Sequence, residues 1–271
     1  MKNILVPIDF SENSPRALAY AMHLANDFNS RLIVHHVIMD TSSEREVDEI
    51  KSEYRHRVME FAEGIMKMSE LSGLDLSASV NLDPDIESIA HLEQMVFIDL
   101  VIMGTKGASG LKEIFLGSNT VKVIDLIKKP VLIIPLSAIY KKPEYIMLCS
   151  DYDFVKDDDV FFLVKRIAEH YDAEVRISHV KTDDKAPRED HVIESKREGH
   201  YFDPEVRYSY KLIRRSDVVE GINYYIELKG DNDMVAVLSR DHGYIERLFK
   251  ASNTHKLAYH SSLPLLVLKD K

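Results

Sequence analysis

Three glycines and a serine carry the chemistry that stands out first. Gly104-x-x-Gly107, nine residues, then Gly117-Ser118 lie between an apolar run at 100–103 and a helical pattern at 119–128. Glycine has no Cβ, so backbone N–H groups at Gly104, Gly107 and Gly117 can approach a bulky anion closely. The start of a helix adds unbonded N–H groups and partial positive charge. Together these suit a phosphate. Ser118 can donate its hydroxyl to a phosphate oxygen while capping the helix. Asp9 closes another apolar run, 4–8, and has two readings. It accepts a hydrogen bond from a ribose hydroxyl or an adenine amine, or it caps the helix that follows. No Gly-Lys-Ser/Thr follows the glycines at P-loop spacing, and no G-x-G-x-x-G follows the first strand. Neither a P-loop hydrolase nor a dehydrogenase fits.

The elements that must position these residues alternate along the chain. Residues 4–8, 31–38, 74–81, 100–103 and 130–135 read as buried strands. Helical patterns fill the intervals: one opening near Pro15 with Leu18, Met22 and Ala25 on one face, then 44–72, 85–97 and 119–128. Ser11, Asn13 or Ser14 can cap the first helix, with Pro15 in its first turn. The order β-α-β-α-β-α-β-α-β predicts a parallel five-stranded sheet covered by helices, doubly wound through right-handed crossovers. The C-terminal edge of such a sheet is where ligands bind.

From Pro143 the order restarts. Strands are predicted at 145–149, 174–180, 206–212, 234–239 and 264–268, with helices at 157–171, 217–227 and 253–260. Residues 103–124 and 237–258 align without a gap: Ser118-Asn119-Thr120 falls over Ser252-Asn253-Thr254. Yet Gly104, Gly107 and Gly117 fall over Leu238, Asp241 and Ala251. A Cβ at each position hinders backbone approach, and the Asp241 carboxylate repels a triphosphate. The second copy keeps the fold and has lost the phosphate cradle. The expected domains are 1–138, with the intact glycine loop, and 143–271, with the degenerate one.

Bulk properties narrow the function classes. The chain has 271 residues and a formal net charge of −10. Residues 1–140 carry 13 basic and 20 acidic groups, hence −7, and 141–271 carry 22 and 25, hence −3. Neither half is basic, which argues against DNA or RNA as partner. No stretch approaches the ~20 apolar residues needed to span a bilayer. The opening MKNILVPIDF reads as a first strand rather than a secretory signal. The single cysteine, Cys149, allows no intrachain disulfide and reads as a buried inert thiol in a reducing cytoplasm.

The run VPIDFSENSPRALAYA, the HHVI strand ending, and G-x2-G-x9-G-S followed by KPVLIIP resemble the universal stress protein family. The resemblance is close over 1–136 and looser over 144–269. It implies two tandem domains of the universal stress protein, or adenine-nucleotide α-hydrolase-like, fold. It implies an ATP-binding regulatory protein of the cytoplasm, with Mg²⁺ or Mn²⁺ bridging the phosphates and little or slow hydrolysis. By that resemblance Gly104, Gly107, Gly117 and Ser118 contact phosphates and ribose, and Met103 belongs to the same strand end. Asp9 and the backbone of Val37 hold the adenine–ribose end, with Pro7 shaping the strand. Asn119 adds its N–H, and Lys106 either neutralises a phosphate or is solvated. Family members pair through their last strands, so 131–134 and 265–268 are expected to join the halves as a pseudo-dimer, with a further homodimer open. A nucleotide-independent interaction scaffold is the competing reading. Asp241 and His242 near Asp151 and Asp153 form a weaker metal or acid–base candidate, with loop residues as the plain alternative.

Overall fold

Hydrophobic, β-branched runs form the strands, and their amphipathic neighbours form the helices. In the computed structural model the described residues are 1–38, 45–83, 89, 96–105, 118–149, 158–181, 201–202, 204–239 and 263–269. The chain divides into two units that part between Tyr140 and Lys141. The first contains β1 (Asn3–Ile8), α1 (Ser14–Phe28), β2 (Arg31–Ile38), α2 (Val47–Met68), β3 (Leu76–Leu82), β4 (Leu100–Gly104), α3 (Ser118–Leu126) and β5 (Val131–Ile134). Its strands run parallel in the order β3-β2-β1-β4-β5. The predicted helices at 85–97 and 253–260 fall largely outside the described residues.

The order of this sheet reverses between β1 and β4, and that is where Pro7 acts. Backbone direction alternates along a strand. Asn3 O accepts from Asp99 N–H beside β4, while Lys2 O accepts from Arg31 N–H beside β2. Odd residues of β1 therefore face β4, and Pro7 is odd. It brings no N–H to that side. The β1–β4 register stops at Leu5↔Val101, while β1 stays paired with β2 as far as Ile8↔His36. A proline inside a central strand is tolerated because the ladder it would break has already ended.

At the opposite edge a carboxylate closes the sheet. Asp99 Oδ2 accepts the backbone N–H groups of Lys2 at 2.5 Å and Asn3 at 3.0 Å. α1 ends on Asn29, whose φ of 49° is left-handed, a conformation asparagine adopts at low cost. The core on both faces of the sheet is built of apolar side chains: Ile4, Leu5, Val6, Leu18, Met22, Leu32 and Leu100 are closed to solvent.

The second unit contains β6 (Tyr145–Cys149), a 3₁₀ turn (Asp158–Phe161), α4 (Phe162–Tyr171), β7 (Glu174–Lys181), β8 (Tyr208–Arg214), α5 (Val218–Lys229), β9 (Met234–Ser239) and β10 (Leu265–Lys269). Its parallel order is β8-β7-β6-β9-β10, the same sequence of moves as in the first unit. The small devices repeat as well. Asp233 Oδ2 accepts from Glu144 and Tyr145 N–H, and α4 ends on left-handed Asp172. Arg176 is buried and bonds Asp231 through both terminal nitrogens, at 2.6 and 3.0 Å, while stacking on Tyr145. The aromatics at Phe161 and Phe202 are fully buried, as core side chains. Cys149 ends β6, and burial pushes its thiol up to about 12, leaving it protonated and inert.

His35 lies in mid-β2 with no exposed surface, its Nδ1 3.1 Å from Ser79 Oγ and its Nε2 without a partner. Burial, helped by the neighbouring His36 and opposed by the Ser79 bond, lowers its pKa to about 4. The unfolded chain therefore takes up this proton first, near its ordinary value of 6.5. Stability contributed by neutral His35 is full above that value and is lost as pH falls toward 4, by roughly 3 kcal/mol in all. Urea midpoints measured from pH 7 to pH 4 should fall less steeply in His35→Leu than in the wild type; parallel slopes would remove His35 as the cause.

Candidate functional site

The working edge of the first unit is built where β1 and β4 part. Asp9 follows β1 directly and is exposed. Its Oδ1 accepts the Ser11 N–H at 2.9 Å and the Ser14 hydroxyl at 3.0 Å. Its Oδ2 has no hydrogen bond among the described residues. Burial alone would push the carboxyl up, but the bonds from Ser11 and Ser14 outweigh it and hold the group below its ordinary range. Asp9 is thus an ionised acceptor. One oxygen orders the turn into α1, and the other is open to a ligand hydroxyl or amine.

The predicted cap needs correction. Asn13 occupies the N-cap position of α1, but its backbone is already helical and its side chain makes no cap bond. The amide turns inward instead and is 3% exposed. Nδ2 donates to Thr105 O at 2.8 Å and Ile134 O at 3.1 Å, with Thr105 Oγ1 at 3.3 Å. These oxygens stand at the ends of β4 and β5. Asn13 Oδ1 is buried and has no partner among the described residues. Ser14 lies inside α1 and serves Asp9.

Gly104 is the last residue of β4, and Met103 before it is buried in the core. Odd residues of β4 turn to β5, since Val101 N–H bonds Pro130 O and Thr105 N–H bonds Ile134 O. The backbone of Gly104 therefore faces the parting beside β1. Its carbonyl accepts the Thr120 hydroxyl at 3.3 Å, which ties the first turn of α3 to the strand end. Ser118 and Asn119 open α3, whose first turn Thr120 ties to Gly104. Lys106, Gly107 and Gly117 lie outside the described residues, as do Asp151, Asp153, Asp241 and His242.

Val37 is placed by the same alternation. Leu32 N–H bonds Asp75 O and Ile38 O accepts from Asp83 N–H, both beside β3. Val37, being odd, turns its backbone toward β1, whose last paired residue is Ile8. Its carbonyl faces the side that β1 has just vacated. Pro7 is half-buried opposite His35. Beside this edge His36 Nδ1 donates to Ile8 O at 2.9 Å, and its ring stacks on Tyr54 and meets Phe10, over which Arg57 lies at 4.5 Å. Sequence reasoning had no signal for this cluster, because Tyr54 and Arg57 reach His36 and Phe10 only through α2 packing.

The parts described so far define a class: a parallel α/β domain with a polar, backbone-rich crevice at its topological switch point. The profile of the universal stress protein family matches residues 1–135. Over 144 residues the chain is 33% identical to the universal stress protein YxiE of Bacillus subtilis, a match spanning 48% of this chain and 97% of that protein. Over 152 residues it is 30% identical to a universal stress protein of Methanocaldococcus jannaschii, spanning 49% and 94% respectively. The chain belongs to the universal stress protein family. A universal stress protein structure from Archaeoglobus fulgidus covers 99% of this chain and 98% of its own, with a TM-score of 0.73 at 20% identity, a likeness of fold.

The Asp9 arrangement carries a direct test. In Ser14→Ala the 3.0 Å donor to Oδ1 is gone. The carboxyl of Asp9, followed by ¹³C NMR through an acid titration, should titrate at higher pH than in the wild type. An unmoved titration would show that the Ser11 bonds alone set its acidity.

Proposed function

We propose that the first unit binds ATP at the parting of β1 and β4 and acts as a regulatory stress protein rather than a fast hydrolase. The observation that carries this reading is the open Asp9 Oδ2, on one side of a gap whose other side is the Gly104 backbone and the start of α3. A carboxylate acceptor suits ribose or adenine. Freed N–H groups at a helix start suit phosphate. The family resemblance adds Lys106, Gly107, Gly117, Ser118 and Asn119 to the phosphate end, and Val37 with Pro7 and Met103 to the base end.

The same carboxyl argues against rapid turnover. A general base works best with a pKa near the working pH, and Asp9 is held below even the ordinary carboxylate range. Among the described residues no group of three His, Cys, Asp or Glu side chains could hold a metal. The family resemblance brings Mg²⁺ or Mn²⁺ in on the phosphates of the nucleotide.

In this reading the second unit is a universal stress protein domain without the cradle. At the position of Gly104 it carries Leu238, whose side chain is buried in β9. Pairing of the halves through Val131–Ile134 and residues 265–268 belongs to the same proposal, as does a cytoplasmic setting. Among the described residues no helix is long and apolar enough to cross a membrane.

Calorimetric titration of nucleotide-stripped protein with Mg-ATP decides between the readings, beside a Gly107→Asp, Gly117→Ala double variant. The expected result is one site per chain, lost in the variant. Two sites would mean that the second unit also binds. No site would favour an interaction scaffold that works without nucleotide.

A further inference from the structure

Gly104 is flanked by one side chain. A Cβ built on it would lie 2.8 Å from Asn13 Nδ2, 3.0 Å from Asn13 Cγ and 3.2 Å from Asn13 Cβ. The amide is not free to swing aside, because it is buried and donates to the ends of both β4 and β5. Among the described residues Asn13 also leaves its own Oδ1 unpaired in the interior, which costs stability. Nothing in its own helix repays that, since it makes no cap bond. Its side-chain bonds lie on the end of β4, which leads into the glycine loop, and on the end of β5.

We propose that Gly104 is a glycine because Asn13 fills the place of its side chain, and that Asn13 is a positioning residue fixing the Gly104-Thr105 strand end for nucleotide. The second part rests on the nucleotide reading above. The usual reason for a glycine here is close approach of backbone to phosphate. The geometry assigns the space to a protein amide instead.

The chain contains its own comparison. Asn13 stands four residues after Asp9, and Val155 stands four residues after Asp151 in the second copy. There Leu238 replaces Gly104. Counted back from the left-handed helix ends, Asn29 and Asp172, the place of Asn13 falls instead on Lys156, and on either count the amide and the glycine are absent together. A loss of phosphate contact alone would explain the change at Gly104 but not the one at Asn13.

A double-mutant cycle separates the two accounts. Tm and Mg-ATP affinity are measured for the wild type, Gly104→Ala, Asn13→Gly and the double variant. Asn13→Gly removes all three atoms facing the new Cβ, and glycine is well tolerated at a helix start. Gly104→Ala is expected to lower Tm and weaken Mg-ATP at least about tenfold. In the double variant the Gly104→Ala change should add no loss beyond that of Asn13→Gly, in Tm or in affinity. Asn13→Asp keeps the shape but sets an acceptor against three oxygens, so it should fall below Asn13→Gly in both. Additive losses would overturn the interlock. Recovery of Tm without recovery of affinity would show that the glycine serves the ligand. Wild-type affinity in Asn13→Gly would end the positioning role. If the wild type itself binds no Mg-ATP, the positioning role falls with the nucleotide reading, while the Tm cycle still decides the Asn13–Gly104 interlock.

Discussion

The early end of the β1–β4 ladder, two residues before Pro7, shapes the working edge of the first unit. In a parallel sheet every central strand is bonded on both sides, and those bonds hold neighbouring strands in contact to their ends. β1 is bonded to β2 along its full length but to β4 only as far as Leu5↔Val101. Pro7 faces the unbonded side. From there the two strands lead apart, and polar side chains occupy the opening. Asp9 and Thr120 bond backbone on either side of it, and Asn13 bonds the ends of β4 and β5 next to it. The crevice is thus a place where backbone groups of β4 are satisfied by side chains from α1 and α3 instead of by a strand.

The two edges of the sheet are treated in opposite ways. At the N-terminal edge Asp99 closes two backbone N–H groups of the first strand with one carboxylate, and charge-assisted bonds of this kind are among the stronger ones. Asp233 does the same for Glu144 and Tyr145 in the second unit. At the C-terminal edge of the first unit, Asp9 bonds through one oxygen and leaves the other open. The N-terminal edge is thus closed in the same way in both units, while in the second unit Leu238, at the place of Gly104, carries a buried side chain.

Much of the fold could be read from the sequence because buried parallel strands and amphipathic helices have distinct apolar periods. The runs at Ile4–Val6 and Val131–Ile134 are apolar on both faces, and both prove buried in the sheet. The restart of the pattern after Pro143 correctly pointed to a second set of parallel strands in the same order. Local chemistry was less well read. Asn13 has the residue type and position of a helix cap, yet its amide is drawn to carbonyl oxygens far along the chain, at Thr105 and Ile134. His35 looks like its neighbour His36 in the sequence, but one is sealed in the sheet and the other lies against an aromatic cluster.

The sequence by itself determined the alternation of elements, the restart of the parallel strand pattern after Pro143, and the family to which the chain belongs. It also supplied the types of residue that can hold a phosphate and a ribose. These follow from period, spacing and the conformational freedom of glycine, which are local properties. Only the tertiary structure decided how the edge is assembled: that β1 and β4 part before Pro7, that Asp9 keeps one oxygen open, and that Asn13 fills the space beside Gly104. Those outcomes depend on which backbone groups find partners across the sheet, and such partners lie about a hundred residues apart in the chain, beyond the reach of any local pattern.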